Sequence, residues 1–259
     1  MSMGLLDLPG MAFDVVEAGL IALSLPAWLR ILFWSVISGA AGMWLYRRYS
    51  PQSRIAEVRT QIAAAQSELA KYDGEFDGLM PLIGRQFRLV FTQMRLTLGA
   101  TLLAGLPILL MLPWLSNQYS HALPSAGTFV TFCAEPEQAI ARLRADIELE
   151  RSKQGLGCRI IAWPTSASAI VLRDEKQDLL TLPIKHAVPV IHQKEWWNAF
   201  IGNPLGYLPE QSTIRSLQMD LPERNIIARG PAWMRGWEFC YFVGVLAVSL
   251  WLRWRWKLQ

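Results

Sequence analysis

Polar side chains inside apolar segments are the groups in this sequence best placed to do chemistry. Arg30, Ser35 and Ser38 interrupt one apolar segment, and Thr97 and Thr101 lie in a second. Polar groups are tolerated at membrane depth only beside water or protein, so these five residues are candidates for the lining of a water-filled cavity. For Arg30 the alternative is that its long side chain reaches the outer headgroups. For the hydroxyls the alternative is a hydrogen bond to their own helix backbone.

Histidines and short motifs give little support for an enzyme. The three histidines are His121, His186 and His192, and the spacing of the last two is poor for a metal site. The sequence contains no nucleophile elbow, HExxH, phosphate loop or CxxC motif. We therefore expect no hydrolytic or redox site, no metal and no cofactor. A membrane-anchored enzyme would need a polar pocket with convergent titratable groups in the folded domain.

The apolar residues are gathered into blocks. Of the 259 residues, 52% are hydrophobic, and three apolar segments occupy residues 29–46, 96–115 and 239–252. A bilayer core needs about 20 apolar residues in a row, so the first and third segments are short for a crossing. Tryptophans at the segment ends resemble the aromatic belts of membrane proteins. They are Trp28, Trp44, Trp114, Trp233, Trp237, Trp251, Trp254 and Trp256.

Basic residues predict the orientation. They follow the first segment, precede the second and follow the third: Arg47, Arg48, Arg54, Arg59, Arg85, Arg88, Arg95, Arg253, Arg255 and Lys257. The positive-inside rule then places the N-terminus outside, residues 47–95 inside, residues 118–236 outside and the C-terminus inside. The inner (cytoplasmic) membrane of a Gram-negative cell is the expected location, because a folded outer domain with few cysteines suits a periplasm.

The predicted fold class is an all-α membrane part with an α+β extracytoplasmic domain. The membrane part has three transmembrane helices and a cytoplasmic antiparallel coiled-coil hairpin. The predicted organisation is an outer interfacial helix at 1–25, transmembrane helices at 26–46, 96–117 and 237–252, the hairpin at 47–95, the outer domain at 118–236 and a basic tail at 253–259.

The hairpin prediction rests on heptad spacing. Ile55, Val58, Ile62, Ala65, Leu69 and Tyr72 recur every three or four residues. A glycine-containing turn at 72–78 leads to a second helix from about Leu79, with Leu79, Ile83, Val90 and Met94 on one stripe. The alternative is a plain charged linker.

The outer domain mixes strand and helix patterns. Residues 128–133, 158–163, 169–173 and 179–184 predict strands, and residues 135–153 predict a helix that packs on one face of the sheet. Cys133 and Cys158 could form a disulfide in an oxidising compartment or remain two free thiols. Trp196, Trp197, Phe200 and Tyr207 belong to an irregular aromatic stretch, which is either a partner-docking surface or loop packing.

Three sequence stretches resemble the YidC-type membrane protein insertase superfamily. They are residues 45–51 (LYRRYSP), residues 106–115 (LPILLMLPWL) and residues 235–241 (RGWEFCY). The similarity is greatest to the three-helix branch, which includes the third subunit of the ER membrane protein complex and archaeal relatives. It covers about residues 26–118 and 231–259, and the outer domain is a departure from that branch.

The resemblance implies an insertase or membrane chaperone that lowers the cost of client insertion through a polar groove. The groove candidates are the five polar residues named above: Arg30, Ser35, Ser38, Thr97 and Thr101. It also implies that the hairpin contacts nascent membrane proteins or the ribosome, through residues such as Arg54, Arg59, Lys71, Arg85 and Arg88. The lipid bilayer is the other expected partner, and DNA is not expected. The alternative is a non-insertase subunit of an envelope complex, whose outer domain docks a fixed partner.

Overall fold

The chain forms two compact units. The structure is a computed structural model that describes residues 4–74, 76–147, 149–152, 155, 157–165, 167–175 and 177–258. The sheet unit contains the N-terminal residues up to Arg30 together with Leu110–Phe239. The helical unit contains Ile31–Leu109 and the residues from Cys240 onward.

Helices account for both ends of the chain. A short 3-10 helix, Leu5–Asp7, precedes α1 (Gly10–Ala22), α2 (Ala27–Tyr49), α3 (Gln52–Ala70) and α4 (Phe76–Tyr119). After the strands come α5 (Ala232–Arg235) and α6 (Trp237–Trp256). The predicted hairpin helix and the second predicted crossing are therefore one continuous helix, α4, of 44 residues.

Two helices are long and apolar enough to cross a membrane, namely α2 and the part of α4 at Gly78–Tyr119. Among the described residues, α6 is not sufficiently apolar over its length to be counted with these two helices. Glu238, Arg253 and Arg255 shorten its uncharged stretch. The third crossing therefore stays a prediction.

The predicted seam of α3 is largely buried. Ile55, Val58 and Ala65 are buried, and α3 is linked to α4 near the turn by an ion pair between Glu68 and Arg85 at 3.3 Å. On α4, however, Val90 and Met94 are exposed. This helix carries apolar residues on more than one stripe, so periodicity alone does not select the stripe that faces α3. The coiled-coil geometry stays a prediction.

The sheet unit contains two antiparallel sheets. The first has five strands in the order β3-β4-β1-β8-β7, and the second has three in the order β2-β5-β6. The strands are β1 (Phe129–Glu135), β2 (Leu143–Arg144), β3 (Glu150–Arg151), β4 (Cys158–Ala162), β5 (Ile170–Asp174), β6 (Gln177–Leu182), β7 (Val190–His192) and β8 (Ser216–Met219). The four predicted strands correspond to β1, β4, β5 and β6, and the α+β class of this domain is confirmed.

The predicted helix at 135–153 is wrong where the structure describes it. A 3-10 helix, Glu137–Arg142, and the short strands β2 and β3 occupy that stretch, while residues 148 and 153 lie outside the described part. Ile140 and Leu143, which are three residues apart, are both in the core. They are buried there without a continuous α-helix. Pairing of Leu143 with Asp174 of β5 outweighs the local helix preference.

Asp174 ties β5 to a loop before β8. Its Oδ2 accepts hydrogen bonds from the Ser212 hydroxyl at 2.8 Å, the Thr213 N–H at 2.7 Å and the Thr213 hydroxyl at 2.9 Å. Burial alone would raise the pKa of this carboxyl, but the hydrogen bonds from Ser212 and Thr213 and the charge of Arg142 hold the pKa below its usual value.

We expect stability to fall in acid because of Asp174. A lowered folded-state pKa means that the stabilisation is fully present above the unfolded pKa, near 4, and is lost as the pH falls through the folded value. Asp174→Asn should lower the free energy of unfolding at neutral pH by about 1–3 kcal/mol and weaken its dependence on pH below 4. Denaturant unfolding from pH 7 to pH 3 measures both effects. If the free energy of unfolding of the variant falls in acid as steeply as that of the wild type, Asp174 is not the cause of the acid dependence.

Candidate functional site

A buried charged cluster lies at the N-terminal end of the sheet unit. The Arg30 guanidinium and the Tyr119 hydroxyl both donate hydrogen bonds to Glu17 Oε1. Arg30 and Arg224 each approach the Tyr119 ring, at 5.6 Å and 5.5 Å from its centroid. Glu17 and Tyr119 are almost fully buried, so α1, the start of α2 and the end of α4 are joined by a desolvated ion pair.

This pairing decides the position of Arg30. Its side chain is 9% exposed and pairs with the carboxylate of Glu17. In this structure Arg30 therefore neither lines a polar groove nor extends toward lipid headgroups. An isolated charge costs several kcal/mol to bury, and an opposite charge offsets much of that cost. Arg30 therefore fixes α1 against the first turn of α2.

A second contact holds α1 beside the last turns of α4. The Trp114 indole N–H donates to Asp14 at 2.7 Å, and the Trp114 ring meets Phe13 edge-on at 5.4 Å. Both acidic residues of α1 are thus used inside the sheet unit, while Met11, Val15, Val16 and Ile21 point outward. A helix is present where the sequence predicts one before the first crossing, and its exposed side chains other than Asp14 are apolar.

Ser35 and Ser38 lie between helices. Both are fully buried. The Ser38 hydroxyl donates to the Trp34 carbonyl and accepts from the Tyr241 hydroxyl at 2.9 Å. A Cβ atom on Gly244 of α6 would stand 2.1 Å from Ser35 Oγ. These hydroxyls therefore occupy a close-packed contact of α2 with α6, as small residues do between membrane helices.

The two threonines are placed differently. Thr97 is half-buried, and its hydroxyl bonds the carbonyls of Gln93 and Met94 in its own helix. Thr101 is exposed. The structure does not gather the five predicted groove residues into one site.

The five basic residues chosen for the hairpin are all exposed: Arg54, Arg59, Lys71, Arg85 and Arg88. Arg85 is paired with Glu68, as described above. The helix α4 also carries a feature that the sequence did not single out, an exposed row of apolar residues.

This row, here called the apolar stripe, follows one face of α4. Its members are exposed by 49% to 66%: Met80, Phe87, Phe91, Met94, Leu98, Leu102, Leu106 and Leu109. After one step of seven residues, successive members are three or four apart, so they share one side of the helix. Ala100, on the opposite side, is buried, and a Cβ atom on Gly42 of α2 would stand 2.6 Å from the Ala104 carbonyl. The stripe therefore faces away from α2.

The stripe, which runs from Met80 to Leu109, is about 44 Å long and exceeds the roughly 30 Å hydrocarbon core of a bilayer. At 1.5 Å per residue, α4 is about 66 Å long, more than twice the roughly 30 Å of a bilayer core. The charged residues Arg85, Arg88 and Arg95 lie in the N-terminal half of α4. Phe87 lies about 13 Å along the axis from Leu96, where the predicted second crossing begins. Four of the eight stripe residues, Met80, Phe87, Phe91 and Met94, precede this predicted crossing.

The predicted docking residues divide into two pairs. Trp196 and Phe200 are exposed. Trp197 packs edge-on against His192 at 5.2 Å, and the Tyr207 hydroxyl donates to the Asn198 carbonyl at 3.3 Å. Loop packing accounts for the inward pair, and the outward pair remains available for contact.

Cys133 and Cys158 are joined by a disulfide. They lie opposite each other in the antiparallel pairing of β1 with β4, with Cα atoms 4.1 Å apart. The strand register explains the pairing, because directly opposed residues bring their Cβ atoms within reach.

A small polar pocket lies beside the start of α6. It measures about 250 Å³ and is lined by residues that include His121, Glu223, Arg224 and Trp233. The Ser120 hydroxyl at its edge accepts from the Trp237 indole at 2.9 Å. Within the described ranges, no group of three or more His, Cys, Asp or Glu side chains could hold a metal ion.

The Glu17–Arg30 pair and the apolar stripe were missed for different reasons. Glu17 and Arg30 stand in neighbouring apolar segments with opposite charges, and that signal favours a pair, although only the fold brings the segments together. The stripe overlaps the predicted seam at Met94, and side-chain exposure cannot be inferred from spacing.

Comparison with protein-family models, with curated proteins and with solved structures returns no match.

Proposed function

We propose that the protein is a membrane protein insertase or membrane chaperone that holds apolar segments of nascent membrane proteins on the apolar stripe. The observation that carries the proposal is the continuation of the stripe from the apolar part of α4 onto its charged, projecting part. Exposed contiguous apolar surface outside a membrane is typical of an interaction site.

The composition of the projecting half suits varied clients. Phe87 and Phe91 offer large apolar surfaces, and Met80 and Met94 have flexible side chains that adapt to different partners. A client segment bound there could move along the same helix face toward Leu98 and Leu102 without exposing its apolar side chains to water. The polar groove implied by the resemblance is not needed for this step.

The membrane placement belongs to the same proposal. α2, α4 and α6 cross the inner membrane, the hairpin lies in the cytoplasm, and the sheet unit lies outside. Only 11% of the most apolar stretch of α4 is buried by the protein, whereas the core helix of a soluble protein is mostly buried. The disulfide in the sheet unit suits an oxidising compartment.

Photocrosslinking in cells tests client contact. Probes at Phe87, Phe91, Leu98 and Leu102 should crosslink many nascent membrane proteins. A matched probe at Thr92, which is exposed on α4 but off the stripe, should capture far fewer. Crosslinks to one stoichiometric protein, to a second copy of the chain or to lipid alone would contradict client handling.

A structural subunit is the second candidate, and one observation favours it. Ser35 and Ser38, which a groove would expose, are buried against α6. Such a subunit would copurify with a fixed partner in mild detergent, and the probes on α4 would then report that partner.

The disulfide gives an independent test of orientation. In spheroplasts, Cys133 and Cys158 should resist maleimide labelling until a membrane-impermeant reductant is added outside. In the purified full chain, the Cys133→Ser, Cys158→Ser double variant should lower the free energy of unfolding by about 2–4 kcal/mol. Labelling of both cysteines without reductant would show free thiols and remove this support for an outer sheet unit.

A further inference from the structure

Each acidic side chain of the N-terminal segment accepts a hydrogen bond from elsewhere in the sheet unit. Between residues 4 and 29 the charged side chains are Asp7, Asp14 and Glu17. The Asp7 carboxylate accepts from the backbone N–H groups of Gly4 and Gly202. Asp14 and Glu17 accept from the indole, guanidinium and phenol groups described above. Asp14 is exposed but paired, and the other exposed side chains of α1 are apolar, as in segments that face lipid.

The same hydrogen bonds fasten this segment to the aromatic loop. The Leu6 N–H donates to the Phe200 carbonyl at 2.9 Å, and Asp7 reaches the N–H of Gly202. The approach is so close that a Cβ atom on Gly4 would lie 2.5 Å from the Gly202 nitrogen. Residues 4–8 and residues 200–202 are therefore one local assembly within the sheet unit.

Large apolar side chains cover the outside of this assembly. Leu5, Leu8, Trp196, Phe200 and Ile201 are exposed by 59%, 61%, 80%, 50% and 44%. We call these five residues the loop patch. Two belong to the N-terminal segment and three to the aromatic loop, which starts with the 3-10 helix Trp196–Ala199.

We propose that the loop patch inserts into the outer leaflet of the membrane and anchors the sheet unit to lipid. The patch continues directly into the exposed apolar side of α1, which begins two residues after Leu8, and α1 leads into the candidate crossing α2. α1 has 13 residues, or about 20 Å, which is too short to cross a bilayer and suits a helix lying along it.

Tryptophan at one end of such a patch favours lipid as the occupant. Indole rings prefer the headgroup layer, and Trp196 is the most exposed member. The inference rests on the membrane placement proposed above but is independent of client handling, and it gives the predicted docking residues Trp196 and Phe200 a lipid partner.

Spin labelling of the full-length protein tests the anchor. In a Cys240→Ser background that keeps the disulfide, nitroxide labels are placed at Leu8→Cys and Ile201→Cys. The control label is at Ala167→Cys, in an exposed turn of the sheet unit. Each purified variant is reconstituted in vesicles of phosphatidylethanolamine and phosphatidylglycerol. Collision with oxygen reports lipid exposure, and collision with a water-soluble nickel complex reports water exposure.

We expect the labels at positions 8 and 201 to meet oxygen and to be shielded from nickel, and the label at 167 to meet nickel. If the nickel complex reaches the labels at all three positions, the loop patch lies in water and the proposed lipid anchor is wrong. Protection from both reagents would show that protein covers the patch, here a second copy, and would overturn it as well. Failure of the crosslinking experiment on α4 would leave these results unaffected.

Discussion

Replacing Glu17 with alanine is expected to lower the free energy of unfolding by about 3–5 kcal/mol, the largest single-residue effect that we predict for stability. The substitution leaves the Arg30 guanidinium buried without its carboxylate and removes the acceptor of the Tyr119 hydroxyl. Unfolding of the full chain in mixed micelles by increasing SDS measures the change.

Two further variants separate charge from packing. Asp14→Ala removes only the acceptor of the Trp114 indole, which is worth about 1 kcal/mol. The Glu17→Ala, Arg30→Met double variant removes both charges and should recover part of the lost stability, because no unpaired charge remains. Equal effects of Glu17→Ala and Asp14→Ala would show that Arg30 reaches water in the variant, as the headgroup alternative requires.

Shortening three side chains of the projecting stripe should reduce client insertion at least about tenfold. Each large apolar side chain contributes about 1.5–3 kcal/mol when fully buried, and 1.4 kcal/mol corresponds to a factor of ten in binding. The variant is Phe87→Ala, Phe91→Ala, Met94→Ala, in which alanine preserves the helix. The measurement is the inserted fraction of newly made membrane proteins in cells that depend on the variant.

The matched control is Phe129→Ala, which removes an equally exposed phenylalanine from β1. It should leave insertion unchanged. If the triple variant is present at the wild-type level and supports normal insertion, the stripe does not bind clients. The structural subunit is then the better proposal.

The order of apolar and polar residues within one segment was sufficient to predict β1 and β4. Alternation identifies β1, and the apolar run identifies β4, because each strand contributes several buried side chains. β7 and β8 have only three and four residues, too few for a period to be visible. They form because β8 pairs with β1 and β7 pairs with β8. The false helix at 135–153 arose because Ile140 and Leu143 fit a helical spacing that tertiary pairing overrides.

The candidate sites depend on contacts between distant residues. Tyr119 meets Glu17 across 102 positions of sequence, and no window of sequence contains both. The sequence did identify Arg30 as unusual, since a charge in an apolar segment is rare, but it could not supply the partner. For the stripe, the apolar residues of α4 were visible, and only the fold shows which of them remain uncovered.

The strand order of the five-stranded sheet has a consequence for assembly during synthesis. β1 and β4 can pair as soon as residue 162 is available, but β8, which covers the other side of β1, ends at Met219. Until β8 has been synthesised, one edge of β1 has unpaired backbone N–H and C=O groups. Another extended chain could form hydrogen bonds with this edge. We therefore expect a chain that is arrested after residue 162 and before residue 216 to aggregate more readily than the full chain, because one edge of β1 is unpaired.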